Sequence, residues 1–391
     1  MKYFLYTVFV LFITLLGAEL VLRLFLDIPD PYADLRTKTY STGSVIRLQN
    51  TPNTDVTFVF HPNELFPKDE RHIVNVHINN FGFRHHDDID TSRNEYSIFA
   101  IGGSTTQGYD YAYKNTWCQV LEGHLENHFQ KPINVYNGGT AGAAMFDHLA
   151  LLTNRTIHLK PDMVVLFAGV NDLNLLLGDD NKYRFNNIYE RVEHVSWYKL
   201  GVARFTLFRL AYNVSQKLRA DESAPLHTRA GKDEVEIPVG TPIEFADHVK
   251  PAIEALELPL VENPELDFAY YRHMLKAFIG ICEANNIPLL LMTQPTTWES
   301  EDEVLQKYHW MNKNKENRFD KGFMQQSMDA MNKDMLAIAE HMSVPCFELD
   351  KEIPLNGEYF YDDCHFTPKG SVKVGNLLSD YILKNNLISL D

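Results

Sequence analysis

The chain has 391 residues, 45% of them apolar and 23% charged, an ordinary globular composition with ample length for a sizeable core. Its formal net charge is −16, from 36 basic and 52 acidic residues. Phosphate binding needs a basic patch, so this balance argues against nucleic acid as a partner.

The N-terminus departs from that composition. Tyr3 to Ala18 carries no charge, and after Glu19 the apolar pattern resumes through Leu26, broken only by Arg23. With that flank the run reaches roughly the 20 residues a bilayer needs. A cleaved signal peptide wants small residues before the cleavage site, and Leu16-Gly17-Ala18 fits poorly. The sequence therefore favours an uncleaved anchor over residues 1–26, with Lys2 inside and the body outside the cytoplasm, in the periplasm or another external space. A cleaved signal and a buried helix are the rival readings.

Residues 27–95 read as a loop-rich extension or collar, with prolines at 29, 31, 52, 62 and 67. Within it, Ile73 to Ile78 alternates like a strand and Asn79 to Arg84 reads as a turn. Five near-continuous apolar runs follow: Ser97 to Ile101, Ile133 to Tyr136, Met163 to Ala168, Ile287 to Thr293 and Val344 to Leu349. Such runs suit parallel strands covered on both faces. Helical stretches lie between them: Thr116 to Phe129, Ala144 to Leu159, Asp267 to Ala284 and Phe323 to Met342. A last helix is capped by Thr367-Pro368. This alternation predicts an α/β domain over residues 96–391 with a central parallel sheet of about five strands. An insertion over 176–262 separates the third strand from the fourth. It leaves from the loop just after Asn171, and it is expected to cap the site.

In open α/β sheets ligands bind beyond the carboxyl ends of the strands. Gly102-Gly103-Ser104 follows the first apolar run, Asn137-Gly138-Gly139-Thr140-Ala141-Gly142 the second, and Gly169-Val170-Asn171-Asp172 the third. Asp362-Asp363-Cys364-His365 follows the last. A serine is a poor nucleophile without a base and a group that orients the base. Ser104, His365 and Asp362 supply those roles, with Asp363 the rival orienter. Taken singly, each motif has a plainer reading: a tight turn, a helix cap, a solvated acid. Four cysteines, Cys118, Cys282, Cys346 and Cys364, lack C-x-x-C spacing, which argues against a thiolate zinc site. Cys364, although beside His365, reads as a small buried residue.

These motifs together resemble those of the SGNH (GDSL-like) hydrolases, over about residues 97–385. Ser104 occupies the nucleophile position, with Gly103 in place of the Asp of the name motif. Gly142 and Asn171 match the second and third blocks, and Asp362 and His365 match the D-x-x-H block. The resemblance implies a flavodoxin-like three-layer sandwich and an acyl-ester hydrolase with no metal and no cofactor. It also implies an oxyanion hole made by the Ser104 N–H, the Gly142 N–H and the Asn171 amide. An α/β-hydrolase would need G-x-S-x-G, and Thr106 stands where the last Gly belongs. A P-loop would need G-K-[ST], which is absent. Acyl transfer to a sugar uses the same residues and stays open. A catalytically silent, membrane-bound carbohydrate-binding or scaffold protein is a further alternative; degeneration of Ser104, Asn171 or His365 would have favoured it, and all three are intact. The expected substrate is an O-acetyl or other short acyl ester of a glycan or a lipid, with Trp298 and Trp310 as candidate stacking groups or as core.

Overall fold

A computed structural model describes residues 2–25, 48–60, 65, 72–92, 95–177, 204–211, 243–245, 258–313 and 317–390. The chain divides into two compact units, one of Met1–Thr42 with Tyr189–Ile237 and the other of Gly43–Ile188 with Pro238–Asp391.

In the first unit, helix α1 (Lys2–Phe25) is apolar and exposed nearly throughout, with Glu19 its buried residue. It is the one helix among the described residues long and apolar enough to cross a membrane. Residues 206–211 form a short second helix.

The second unit is built on five parallel strands: β3 (Tyr96–Gly102), β4 (Ile133–Asn137), β5 (Met163–Phe167), β7 (Leu289–Met292) and β8 (Cys346–Phe347). Their order is β4-β3-β5-β7-β8. Renumbered within the sheet this is 2-1-3-4-5, the flavodoxin-like order, whose switch point lies between β3 and β5. The apolar runs are continuous because alternate residues feed two different cores. Phe99, Ile101, Val164, Leu166, Leu289 and Leu291 pack with helices Met145–Asn154, Ala269–Ala284 and Lys321–His341. Ile98, Ala100, Val165, Phe167, Leu290 and Met292 face the opposite layer, helices Trp117–Phe129 and Pro368–Lys384. The expected three-layer α/β sandwich is what forms.

Local chemistry sets the helix starts. Thr116 accepts the Gln119 N–H at 3.2 Å, and Thr367 accepts the Gly370 N–H at 3.0 Å with Pro368 in the first turn. The helix expected over 144–159 stops earlier, at Asn154. Arg155 leaves helical geometry with φ −140°, and a 3-10 turn, Thr156–Leu159, completes the segment.

The collar holds more order than its prolines suggest. Strand β1 (Thr54–Phe60), read as loop, pairs antiparallel with β2 (His72–Ile78) and parallel with β6 (Ile243–Phe245), a piece of the insertion. Arg84 then bridges the collar to the main sheet: its N–H donates to the Asn137 carbonyl at 2.8 Å, and it pairs on its other side with Ile78. The rest of the insertion, where a cap was expected, lies largely outside the described residues.

Candidate active site

Strand β3 runs through Gly102 into Gly103, and Ser104 opens a one-turn helix, α2 (Ser104–Gln107). His365 Nε2 lies 2.7 Å from Ser104 Oγ, and His365 Nδ1 lies 2.7 Å from Asp362 Oδ2. With Nδ1–H donating to the carboxylate, the neutral ring presents Nε2 as an acceptor and the serine hydroxyl donates to it. Three groups more than 250 residues apart at their extremes thus stand in one hydrogen-bonded file.

Asp362 is saturated with donors. Its Oδ1 accepts the backbone N–H of Cys364 (3.0 Å) and of His365 (2.8 Å), and its Oδ2 also accepts the Trp310 indole N–H at 3.0 Å. Burial works against the charge, but the His365 imidazole and these donors override it and hold the carboxyl at about 2. In the other direction, burial disfavours the His365 cation, and the Asp362 carboxylate outweighs it, raising the imidazole well above its ordinary value.

Asp363 takes a different part. Its carboxylate accepts the Trp298 indole N–H (2.5 Å) and the backbone N–H of Trp310 (2.6 Å) and Met311 (3.2 Å). It is fully buried and bonded to the 298 and 310 loops, and Asp362, not Asp363, is the carboxylate hydrogen-bonded to the imidazole. Burial and the neighbouring Asp362 charge push Asp363 up to about 7 against the pull of those donors. Trp298 is 3% exposed, a burial that fits the core alternative of the two readings given for it. Trp310 is 36% exposed beside the Asp362 carboxylate.

On the far side of Ser104 lies the loop that follows β4. Asn171, in the first turn of helix Val170–Leu176, donates Nδ2–H to the Ala143 carbonyl at 2.8 Å. A Cβ placed on Gly103 would meet Asn171 Nδ2 at 2.6 Å, so the amide lies against the residue that precedes the serine. A larger residue at 103 would have to displace that amide. Gly142 has φ +71°, a left-handed conformation that favours glycine. Among the described residues, the N–H groups of Ser104 and Gly142 donate to no protein acceptor.

Two supports carried no signal in the sequence. Arg84 is buried at 1%; its guanidinium donates to the carbonyls of Gln107, Gly108 and Tyr111 and so holds the C-terminal end of the serine turn. Tyr361 lies parallel to the His365 ring, centroids 5.6 Å apart, with its hydroxyl donating to Asp110 at 2.6 Å.

Among the described residues, two groups of side chains have metal-ligand spacing. In Asp362, Cys364 and His365 the carboxylate and both ring nitrogens are already engaged, and burial pushes the Cys364 thiol up to about 11. In His85, His86 and Glu122, Glu122 already accepts His85 Nε2–H at 3.1 Å and the Val135 N–H at 2.8 Å. The four cysteines are unpaired thiols.

A hydroxyl, imidazole and carboxylate in file at the carboxyl edge of a flavodoxin-like sheet is the arrangement of serine hydrolases. The model of the GDSL-like Lipase/Acylhydrolase family matches residues 100–224, about a third of the chain, and bears out the likeness read from the motifs. That stretch holds Ser104, Gly142 and Asn171. The chain is similar in structure to a lipase/acylhydrolase from Enterococcus faecalis (16% identity, 74% of this chain and 96% of that one, TM-score 0.39). It is also similar to a GDSL-like lipase from Bacteroides thetaiotaomicron (13%, 75% and 90%, 0.38) and to an acetyl xylan esterase from Geobacillus stearothermophilus (13%, 76% and 97%, 0.39). Comparison with curated proteins gives no match.

Proposed function

We propose that the protein is a serine ester hydrolase that works through an acyl-enzyme on Ser104. The observation that carries this reading is the file Ser104–His365–Asp362, with both links at 2.7 Å. As Ser104 Oγ bonds to the acyl carbon, its proton passes to His365 Nε2 and the carbonyl pair moves onto oxygen. The resulting imidazolium is held by Asp362. Collapse of the tetrahedral adduct breaks the ester C–O bond, and the leaving alkoxide takes the proton back from Nε2. Water repeats the sequence on the acyl-enzyme and frees the acid. General-base catalysis of this kind contributes roughly 10²–10⁴ in rate.

The oxyanion is assigned to the Ser104 N–H, the Gly142 N–H and the second N–H of the Asn171 amide, whose first is held by Ala143. Donors fixed in advance on charge that develops in the transition state are worth more than ground-state contacts. The substrate is proposed to be an O-acetyl or other short acyl ester of a glycan or lipid. The half-open Trp310 ring beside the triad supports a planar, partly apolar group at that point. Helix α1 is assigned as an anchor with Lys2 inside, which brings envelope glycans and lipids within reach; proteolysis of spheroplasts should digest the body, and protection of it would reverse the orientation.

The test is an ester panel on the detergent-solubilised chain, acetylated sugars against p-nitrophenyl esters of rising length, with Ser104→Ala in parallel. Hydrolysis should fall steeply with acyl length and vanish in Ser104→Ala. Undiminished turnover in that variant would sink the assignment.

A further inference from the structure

Helix α1 is exposed along its length except where it meets residues 204–211. Glu19 is buried, and its carboxylate accepts the backbone N–H groups of Thr206 at 2.7 Å and Leu207 at 2.8 Å. Arg23, one turn further on, donates Nε–H to Glu19 at 2.7 Å and a terminal N–H to the Arg204 carbonyl at 2.8 Å. An ion pair in an otherwise apolar helix is costly in lipid unless it is paired and facing protein. Here it is both, and it clamps the start of helix 206–211.

The clamp's height along α1 is fixed by helix geometry. Seventeen residues separate Lys2 from Glu19, about 25 Å at about 1.5 Å per residue. The hydrocarbon layer is about 30 Å thick. With Lys2 at one boundary, Glu19 and Arg23 stand close to the other, and residues 204–211 are held at that level. Their sequence, Arg204-Phe205-Thr206-Leu207-Phe208-Arg209-Leu210-Ala211, holds no acid. Phe205 is 50% exposed and Leu210 38%, and Arg204 is exposed beside them. Aromatic and aliphatic side chains open to the outside, with arginine and no acid, is the composition of segments that lie in a membrane interface.

We propose that residues 204–211 form a second membrane contact, docked on α1 by Glu19 and Arg23, with Phe205 and Leu210 inserted at the headgroup–acyl boundary of the bilayer. The inference rests on the anchor reading of α1. The occupant of this surface is lipid, because Glu19 and Arg23 hold the segment against α1 at the height where the bilayer ends.

The test places an environment-sensitive NBD label on Phe205→Cys, Leu210→Cys or Phe12→Cys in the full chain, reconstituted in phosphatidylcholine–phosphatidylglycerol vesicles. The unsubstituted chain, labelled in parallel, gives the background from native thiols. Nitroxide carried at a shallow lipid position should quench the 205 and 210 labels, and aqueous iodide should reach them several-fold less than it reaches the same label at exposed Glu265→Cys. Deep nitroxide should quench the label at 12. Quenching at 12 with free iodide access at 205 and 210 would overturn this inference and leave the anchor. Shielding of 205 and 210 from both quenchers would mean a protein contact and would overturn it too. A label at 12 untouched by nitroxide would remove the anchor, and this inference with it.

Discussion

Replacing Asn171 by Ala separates the oxyanion reading from simple substrate binding. The side chain has two jobs in the structure: one N–H holds the Ala143 carbonyl at 2.8 Å, and the other is assigned to the oxyanion. Losing an oxyanion donor costs on the order of 10²–10³ in kcat, about 2.7–4 kcal/mol. Losing the Ala143 bond costs about 0.5–1.5 kcal/mol of stability. The gain in helix propensity at this first-turn position offsets up to about 0.7 kcal/mol of that. The net is a folded enzyme, nearly as stable as its parent, with kcat down by two to three orders of magnitude and KM little changed. Asn171→Asp sharpens the result, since it keeps the shape but points an acceptor at the oxyanion; it should lose at least as much. The assay is kcat and KM on p-nitrophenyl acetate, with thermal unfolding alongside. A rise in KM at unchanged kcat, or an active Asn171→Asp, would refute the donor role.

Other expectations follow from neighbouring contacts. Gly103→Asp places the Asp of the GDSL name motif before Ser104 and should lower turnover, because its Cβ would fall 2.6 Å from Asn171 Nδ2 and displace that amide; wild-type turnover in this variant would show that the amide yields freely. The pH profile of kcat/KM should fall on the acid side with an inflexion above the ordinary imidazole value, since Asp362 raises His365 and only the neutral ring accepts the serine proton. The same pair fixes the sign of pH-dependent stability. Raised His365 contributes fully below its unfolded pKa and loses that contribution as pH climbs through its folded one. Depressed Asp362 contributes above about 3.8 and loses it as pH falls toward about 2, which denaturant titrations across pH would detect. Arg84→Met leaves the Gln107, Gly108 and Tyr111 carbonyls without their guanidinium donor and should lower unfolding free energy by at least about 1.5–3 kcal/mol; an unchanged denaturant midpoint would make that cluster dispensable.

What the sequence made legible was what local pattern encodes. Buried parallel strands announce themselves because both faces are covered: Ile98 and Phe99 point into different cores, so neither position is free to be polar. Asp362 and His365 sit three residues apart in one loop, so their pairing needed no knowledge of the rest of the chain. β1 was missed because Pro52, Thr54, Asp55 and Thr57 read as loop, and its partners lie outside its own neighbourhood. β8 is only Cys346–Phe347, shorter than the apolar run from 344 to 349, because Leu349 already begins a helical turn at the sheet edge. The roles of Arg84, Asp363 and Tyr361 depend on chain segments tens to hundreds of residues distant, and nothing beside them in the sequence marks them. Trp298 and Trp310 look alike in the sequence as loop aromatics, and their burial, 3% against 36%, separates them.

The central claim, that Ser104 carries the acyl group, is tested most directly by trapping that group. The full chain would be mixed briefly with p-nitrophenyl acetate, quenched in acid, digested, and the peptide containing Ser104 examined by mass spectrometry. The account predicts an acetyl adduct on Ser104 that accumulates within the first turnover, disappears on longer incubation in water, and is absent from Ser104→Ala and from His365→Gln. An adduct on Cys364 or on another serine, or steady hydrolysis by Ser104→Ala at the parent rate, would contradict it.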